Sequence, residues 1–517
     1  MAAYTQKQRD GLYELTEQTR AELTGTRYFN EDLAPTSLAD RTWNTFHISM
    51  LWVGMSICIP SFMMASGLVG LGLSPFLAVL NVIIGNVLIL IPIQLNSHAG
   101  TKYGIPFPVF ARLTFGINGA HLPSLSRAVT ACGWNAVQCG VGGVAILSMI
   151  KAFAPGFDDT SSSALWVGFF IFLVITWVLT AFGSVVIRIF ESIGSPVLIV
   201  LSITLFIWAI LIGADKGYSF TDIITSNISA GNVTANGGFL IVFLGGLTSN
   251  IGFWATMALN IPDFSRYAKD QKAQFRGQLY GMPLAMAACA VIGAFYAQAT
   301  FLANLTGDNT PLFSPADALH YIGEGPAARI IMFVVGFGVV IATLTTNIAA
   351  NVVAPANGFS NISPKRITYR MGATLACIIA VGYYAISLNG STAGAMFTFL
   401  NVYGGILAPV AAIFIADYYI VKKKNVDVKA LYLGSTGRYW YSNGFNVKAF
   451  IAWFCGAIIP TLVSIFPGSL GQISVLSFIN TNAYIFAFVV AFIIYLAIMN
   501  GDTKATITDA DEAAMTE

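Results

Sequence analysis

The chain has 517 residues, of which 56% are hydrophobic and only 10% charged, with a net charge of +2 and a mean hydropathy of +0.72. Soluble domains carry about 25% charged residues, so this composition excludes a soluble enzyme and implies an all-α, polytopic protein surrounded by membrane lipid. The near-neutral charge gives no reason to expect a nucleic-acid partner.

Residues 1–43 are polar and mixed in charge, without the pattern of a cleavable signal peptide, and are expected to form a cytoplasmic tail. Apolar runs long enough to span a bilayer follow at roughly 46–71, 76–97, 122–150, 164–183, 190–213, 238–260, 279–303, 328–352, 371–388, 393–420, 447–466 and 477–499, which makes twelve helices. Lys102, Arg112, Arg188, Arg266, Lys269, Lys272, Arg276, Lys365, Arg366, Arg370, Lys422, Lys423, Lys424 and Lys429 fall on one set of connections. The opposite connections 304–325 and 467–476 have no Lys or Arg. The positive-inside rule then puts both termini in the cytoplasm of a cell-membrane protein. Two five-helix sets, roughly 46–213 and 238–420, make up an expected transport core over 44–420. A cytoplasmic loop (421–446), two accessory helices (447–499) and a cytoplasmic tail (500–517) complete the chain. Asn227 and Asn232 open sequons that matter only in a secretory pathway.

The first span is interrupted near its middle by Gly54 and Cys58-Ile59-Pro60. The sixth has Gly245-Gly246, then Asn250 and Gly252 before Phe253-Trp254. Five is odd, so the second set enters the membrane inverted, and broken helices at matching places in inverted halves point to a midplane transport site. In the third span Trp134 and Gln138 share one helix face. A buried indole N–H and a buried amide both need partners, which a flat, polar, uncharged ligand would supply; the bland reading is packing against another helix. Trp254 lies too deep for an interfacial anchor and reads as a second aromatic plate. Cys58 is expected to line the pocket, whereas Cys132, Cys139, Cys289, Cys377 and Cys455 read as small hydrophobes.

The eighth span holds Ala342, Thr345, Thr346, Asn347 and Asn351 within ten residues. Threonine in membrane helices often bonds back to its own helix, and Asn often ties helices together. This density of neutral oxygens instead suggests a hard-cation site beside a ligand amide, completed by carbonyls freed near Gly54 and Ile57. No carboxylate lies deep in a span: Glu191, Asp263 and Asp417 are near cytoplasmic ends, and His47 and His98 near membrane boundaries. Sodium is therefore favoured over a proton as coupling ion. No catalytic triad, phosphate loop or metal cluster is visible, so neither an enzyme nor an ATP-driven pump is expected, and no cofactor other than sodium. The Gly/Pro-rich stretch 98–108 reads as a turn.

Several motifs together resemble the nucleobase:cation symporter-1 family, whose members carry uracil, allantoin, cytosine, purines and hydantoins. They are Asn30-Glu31-Asp32-Leu33-Ala34-Pro35, Gly100-Thr101-Lys102-Tyr103-Gly104-Ile105-Pro106-Phe107-Pro108, Trp134 with Gln138, Asn260-Ile261-Pro262-Asp263-Phe264-Ser265-Arg266-Tyr267, Thr345-Thr346-Asn347 with Asn351, and Asp417-Tyr418-Tyr419. The resemblance implies a LeuT-like fold, a 5+5 inverted repeat plus two C-terminal helices. It implies a heterocycle held between Trp134 and Trp254, with Gln138 and Asn351 bonding its ring amides. It also implies sodium at Gly54, Ile57, Ala342, Thr345 and Thr346. Departures at Cys58, Asn135 and Phe253, where relatives carry an amide, an aromatic and a glycine, suggest a different or smaller ligand. The leading expectation is a monomeric secondary active importer of a nucleobase, allantoin or hydantoin by cation symport with alternating access. Proton-coupled or uncoupled transport of another heterocycle, such as a vitamin, competes with it. A ligand-gated channel or sensor is the reading from a different class.

Overall fold

Backbone N–H and C=O groups in hydrocarbon must be satisfied within their own segment, so the apolar runs become helices. The computed structural model describes residues 5–181, 184–225, 230–322, 325–363, 366–386, 393–499, 511, 515 and 516. The sequence features at Asn227, at Lys365 and over 500–510 lie outside the described residues, as do the side chains of Arg188, Glu191 and Asn232. Among the described residues nine helices are long and apolar enough to cross a membrane, or eleven when two sharply bent pairs each count as one span. The remaining expected run, 238–260, is a shorter apolar helix with a break near its end.

In chain order the helices are α1 (Thr45–Ser56), α2 (Ile59–Gly70), α3 (Pro75–Tyr103), α4 (His121–Phe153), α5 (Ser162–Ala181), α6 (Ser184–Asp215), α7 (Phe239–Phe253) and α8 (Ala255–Asn260). They continue with α9 (Gln271–Leu302), α10 (Pro326–Asn347), α11 (Ala354–Ser360), α12 (Tyr369–Ile386), α13 (Ala393–Ile415), α14 (Val447–Ile465), α15 (Ser474–Thr481) and α16 (Ala483–Met499).

Three interruptions build the site. Between α1 and α2 the chain turns by 57°. The Cys58 N–H leaves the helical ladder and donates to Ser56 O at 3.0 Å, and Pro60 starts α2 where its missing N–H costs nothing. Between α7 and α8 the break falls at Trp254, whose N–H leaves the i−4 ladder and donates to Ile251 O (3.3 Å) and Gly252 O. The glycines expected to break this span do not do so. Gly246 and Gly252 stay helical and serve close packing: a Cβ on Gly252 would stand 3.0 Å from Leu400 O. Between α10 and α11 the chain widens into a π turn over Ile348–Val353. Pro355 has no N–H to return to the carbonyl of Asn351, which is a known origin of such widening, and π turns recur at functional sites.

Two other expectations are corrected. The stretch 98–103 is helix rather than turn, because Gly100 lets α3 approach Pro262, where a Cβ would stand 2.8 Å from Cα. Gly104, at φ +70°, then ends the helix. The run 477–499 is not one straight span: α15 and α16 meet at 90° around Asn482, whose side-chain amide bonds Phe478 O at 2.9 Å.

The N-terminal residues are docked rather than free. A hairpin of β1 (Gln6–Arg9) and β2 (Leu12–Leu15) is tied down by Arg41, whose guanidinium donates to Thr101 O (3.0 Å), Thr36 O (2.9 Å) and Tyr13 O. Burial pulls that guanidinium down to about 10, which leaves it cationic near neutrality. Asp417 is held in a buried hydrogen-bond network. Its carboxylate, fully buried, accepts from Lys422 Nζ (2.5 and 2.6 Å), Thr114 Oγ1 (2.8 Å) and Tyr495 OH (2.8 Å).

Candidate functional site

The three interruptions converge on one small cavity of about 40 Å³. The α1–α2 break contributes Met55, Cys58 and Pro60. α4 contributes Trp134 and Gln138. The α7–α8 break contributes Phe253, Trp254, Thr256 and Met257. The eighth span contributes Thr346, Ala350 and Asn351. Six of the seven residues expected to bind substrate therefore meet here, together with one expected cation ligand. The seventh, Asn135, lies behind the cavity wall.

The polar atoms differ in how they are satisfied. Trp134 Nε1 donates to Tyr403 OH at 3.2 Å. The expectation that this indole awaits a ligand is thus corrected: its partner stands on α13, far away in sequence. Trp254 Nε1 and Gln138 Oε1 have no partner although both are buried. An unpaired buried donor or acceptor costs about 1–3 kcal/mol, and these two open into the same cavity. Asn351 Nδ2 donates to Asn347 Oδ1 (3.2 Å), and Asn347 Nδ2 donates to Asn135 Oδ1 (2.7 Å). Cys139 Sγ donates to that same Asn135 oxygen at 3.3 Å. This relay uses one N–H of Asn351, orients its carboxamide and leaves the carbonyl oxygen without a bond.

The two tryptophans do not simply face each other. The Phe253 ring stands edge-on to Trp134 (5.2 Å, 75°) and to Trp254 (5.0 Å, 82°). Trp52 of α1 in turn meets Trp254 edge-on at 5.1 Å. A water needs at least roughly 10–15 Å³ of cavity by this measure, so the space holds about three waters. A heterocycle enters only if Phe253 or the neighbouring methionines move. Cys58 is buried at the rim with Sγ 3.2 Å from Ser61 Oγ.

Of the expected cation ligands, Thr345 Oγ1 and Thr346 Oγ1 both donate to Ala342 O, at 2.8 and 3.3 Å. The bland reading of threonine bonding back to its own helix is thus realised here, and each hydroxyl keeps lone pairs. At the α1–α2 break, Cys58 N bonds Ser56 O and Ser61 N bonds Cys58 O. Gly54 O and Ile57 O thereby lose the i+4 donors a continuous helix would give them. Neither histidine is set up as a relay: His47 closes a capping box with Asn44, and His98 Nδ1 lies 2.9 Å from Tyr418 OH.

Sequence reading missed Tyr403, Trp52 and Thr256, and it expected Asn135 at the substrate, whereas Asn135 stands behind the wall as an acceptor for Asn347 and Cys139. The i, i+4 pairs Asn135–Cys139 and Asn347–Asn351 carried a signal for the relay, since each pair shares a helix face. The contact of Trp134 with Tyr403 carried none.

Comparison with known proteins identifies the family and the fold. The family described as permease for cytosine/purines, uracil, thiamine, allantoin matches residues 35–491. The purine-uracil permease NCS1 of Arabidopsis thaliana is 36% identical over 487 residues, covering 91% of this chain and 78% of that protein. The allantoin permease of Bacillus subtilis (strain 168) is 31% identical over 489 residues, covering 93% and 95%. Among solved structures, Mhp1, a nucleobase-cation-symport-1 family transporter in a closed conformation with bromovinylhydantoin bound, has a TM-score of 0.74 at 23% identity, covering 94% of this chain and 99% of that one. MhsT in complex with L-phenylalanine has a TM-score of 0.54 at 15% identity, covering 86% and 98%. The fold is the one these transporters share. The chain belongs to the permease family for cytosine, purines, uracil, thiamine and allantoin, and it is a membrane transporter rather than an enzyme.

Proposed function

We propose that the chain imports a nucleobase or related ureide by sodium symport with alternating access, as a monomer with both termini in the cytoplasm. We read the two five-helix sets as inverted repeats, the first opening with α1–α2 and the second with α7–α8. The observation that carries the substrate reading is the pair of buried, unpartnered atoms, Gln138 Oε1 and Trp254 Nε1, in one aromatic-walled cavity where the helix breaks meet. One accepts and the other donates, which suits a ring with an N–H and a carbonyl; the Asn351 carbonyl offers a second acceptor. Stacking on Trp134 would add about 1–3 kcal/mol.

The cation reading rests on Thr345 and Thr346 converging on Ala342 O, and on the carbonyls of Gly54 and Ile57 without helical partners. Sodium would take Ala342 O, Gly54 O, Ile57 O and the two hydroxyl oxygens. The test is equilibrium binding of uracil, allantoin, hydantoin and a purine to purified protein. At least one should bind. Trp254→Phe, which keeps a ring but loses the N–H, should weaken that ligand roughly 5- to 100-fold, the cost of one unpaired buried group. No binding by any of the four, or full affinity in the variant, refutes the reading.

A further inference from the structure

A second chamber, of about 360 Å³, lies beside the substrate cavity. Ile59 and Phe62 of α2, Leu201 and Leu205 of α6, and Val339 and Ala342 of α10 form its walls, and the 3-10 turn Pro315–Tyr321 roofs it. Among the described residues no charged side chain lines it. Of the three hydroxyls in its wall, Ser202 Oγ donates back to Leu198 O (2.7 Å) and Thr204 Oγ1 to Val200 O (2.9 Å), which leaves Tyr321 OH and the Trp208 indole as its remaining side-chain polar groups. A heterocycle entering this space would give up its hydrogen bonds to water and find few in return. Ordered water would likewise lack the two to four polar partners it needs.

The chamber is open on one side. Ile331 lines it and is 52% exposed, and the same helix faces continue outward through Val200 (63%), Ile203 (53%) and Val334 (60%). These residues belong to two helices long and apolar enough to cross a membrane, so the opening is continuous with their exposed apolar faces. What meets that opening in a membrane is a methylene chain. We propose that the chamber takes one acyl chain of a bilayer lipid, which enters between α6 and α10 and ends beside Ala342. The occupant is apolar like its walls, is present at high local concentration, and fills space that would otherwise leave both helices poorly packed. Its tip borders the carbonyl that accepts both threonine hydroxyls, so it props α10 beside the cation position; that consequence alone rests on the sodium reading.

The test uses the full-length protein in nanodiscs of phosphatidylcholine with a fraction of lipid carrying a diazirine at the acyl terminus. After photolysis, labelled residues are mapped by mass spectrometry. The expected result is labelling of the chamber wall at Leu201, Leu205 or Val339, in addition to the outward-facing Val200 and Ile203 on the same helix. Ala318→Trp, which fills the chamber from its roof, should lower wall labelling at least fivefold and leave outward labelling unchanged. The wild-type pattern is decisive even if that variant folds poorly. Labelling confined to Val200, Ile203 and their outward neighbours overturns the proposal. So does equal wall labelling in a folded Ala318→Trp protein. Neither readout depends on transport, so failure here is distinct from failure of the substrate reading.

Discussion

Replacing Asn347 with Leu tests whether the amide relay sets what the cavity recognises. In the parent, Asn351 Nδ2 is held by Asn347 Oδ1 at 3.2 Å, and Asn347 Nδ2 is held by Asn135 Oδ1 at 2.7 Å. Leucine has the same number of side-chain heavy atoms, is bulkier because its branch is tetrahedral, and removes both bonds. Asn135 keeps its bond from Cys139, so the folded state should lose about 1–3 kcal/mol, the range for a disrupted buried hydrogen bond. The larger effect is on selectivity. With its amino end released, Asn351 can rotate and offer either end to the ligand. In the parent the bond to Asn347 fixes the orientation of the carboxamide and leaves its carbonyl oxygen unbonded, so a ring N–H is favoured over the same ring N-methylated at that position by one buried hydrogen bond, about 1–3 kcal/mol. In the variant this preference should fall by about 1.4 kcal/mol, a factor of ten. The measurement is titration calorimetry with the bound heterocycle and its N-methyl analogues, comparing the ratio of affinities in parent and variant. Taking the ratio cancels the steric cost of the methyl group. Asn135→Asp keeps an acceptor for Asn347 Nδ2 and should retain the parent's ratio. An unchanged ratio in a folded Asn347→Leu protein would show that Asn347 does not orient Asn351.

Two further outcomes follow from the same cavity. Phe253→Ala removes a buried ring and its two edge-on aromatic contacts, so stability should drop by about 3–5 kcal/mol, while bicyclic purines should gain at least tenfold in affinity relative to single rings; an unchanged preference in competition binding would mean Phe253 does not limit ligand size. Removing both hydroxyls, Thr345→Ala with Thr346→Ala, should abolish the tightening of substrate binding by sodium over choline and leave most of the sodium-free affinity; a sodium effect of parental size in the double variant would exclude these residues as ligands.

The site was legible where chemistry and helix period coincide. Trp134, Gln138 and Asn351 stand out because each is polar or amphipathic inside an apolar run, and a one-turn spacing assigns them to a face. The α1–α2 break was legible from Pro60, whose missing N–H is a local property. The α7–α8 break was misplaced because glycine is ambiguous within a membrane helix: it permits a break, and it equally permits the close approach that Gly252 makes to Leu400. The hydrogen bond from Trp134 to Tyr403, the position of the Phe253 ring and the docking of Arg41 depend on residues that are distant in sequence. No local period encodes them. The helix at 98–103 was missed for the same reason: Gly100 and Gly104 look alike in sequence, yet one packs on Pro262 while the other takes φ +70° and ends the helix.

The proposed coupling has a physical seat in one hydroxyl. Thr346 lines the substrate cavity, and its Oγ1 donates to the same Ala342 carbonyl that accepts from Thr345. Without a cation, this carbonyl is therefore satisfied twice over within its own helix, and α10 needs nothing from α1 or α2 at this point. A sodium ion using Ala342 O and both hydroxyl oxygens must turn the two hydroxyl protons away, because a cation and a proton cannot share one lone-pair direction. It gains in exchange the carbonyls of Gly54 and Ile57 at the α1–α2 break, and so draws α10 toward the wall that carries Cys58 and Pro60. The substrate cavity lies between those same two elements. A ligand that favours the drawn-together arrangement must then strengthen sodium binding by the factor by which sodium strengthens its own, since linkage makes the effect reciprocal. The Asn347–Asn135 relay begins one residue after Thr346 and runs the opposite way, to α4. Under the proposed sodium coupling the eighth span would be tied to α4 by the amide relay and to α1–α2 by a cation that comes and goes, so α1–α2, rather than α4, would be the partner whose distance from it sodium controls.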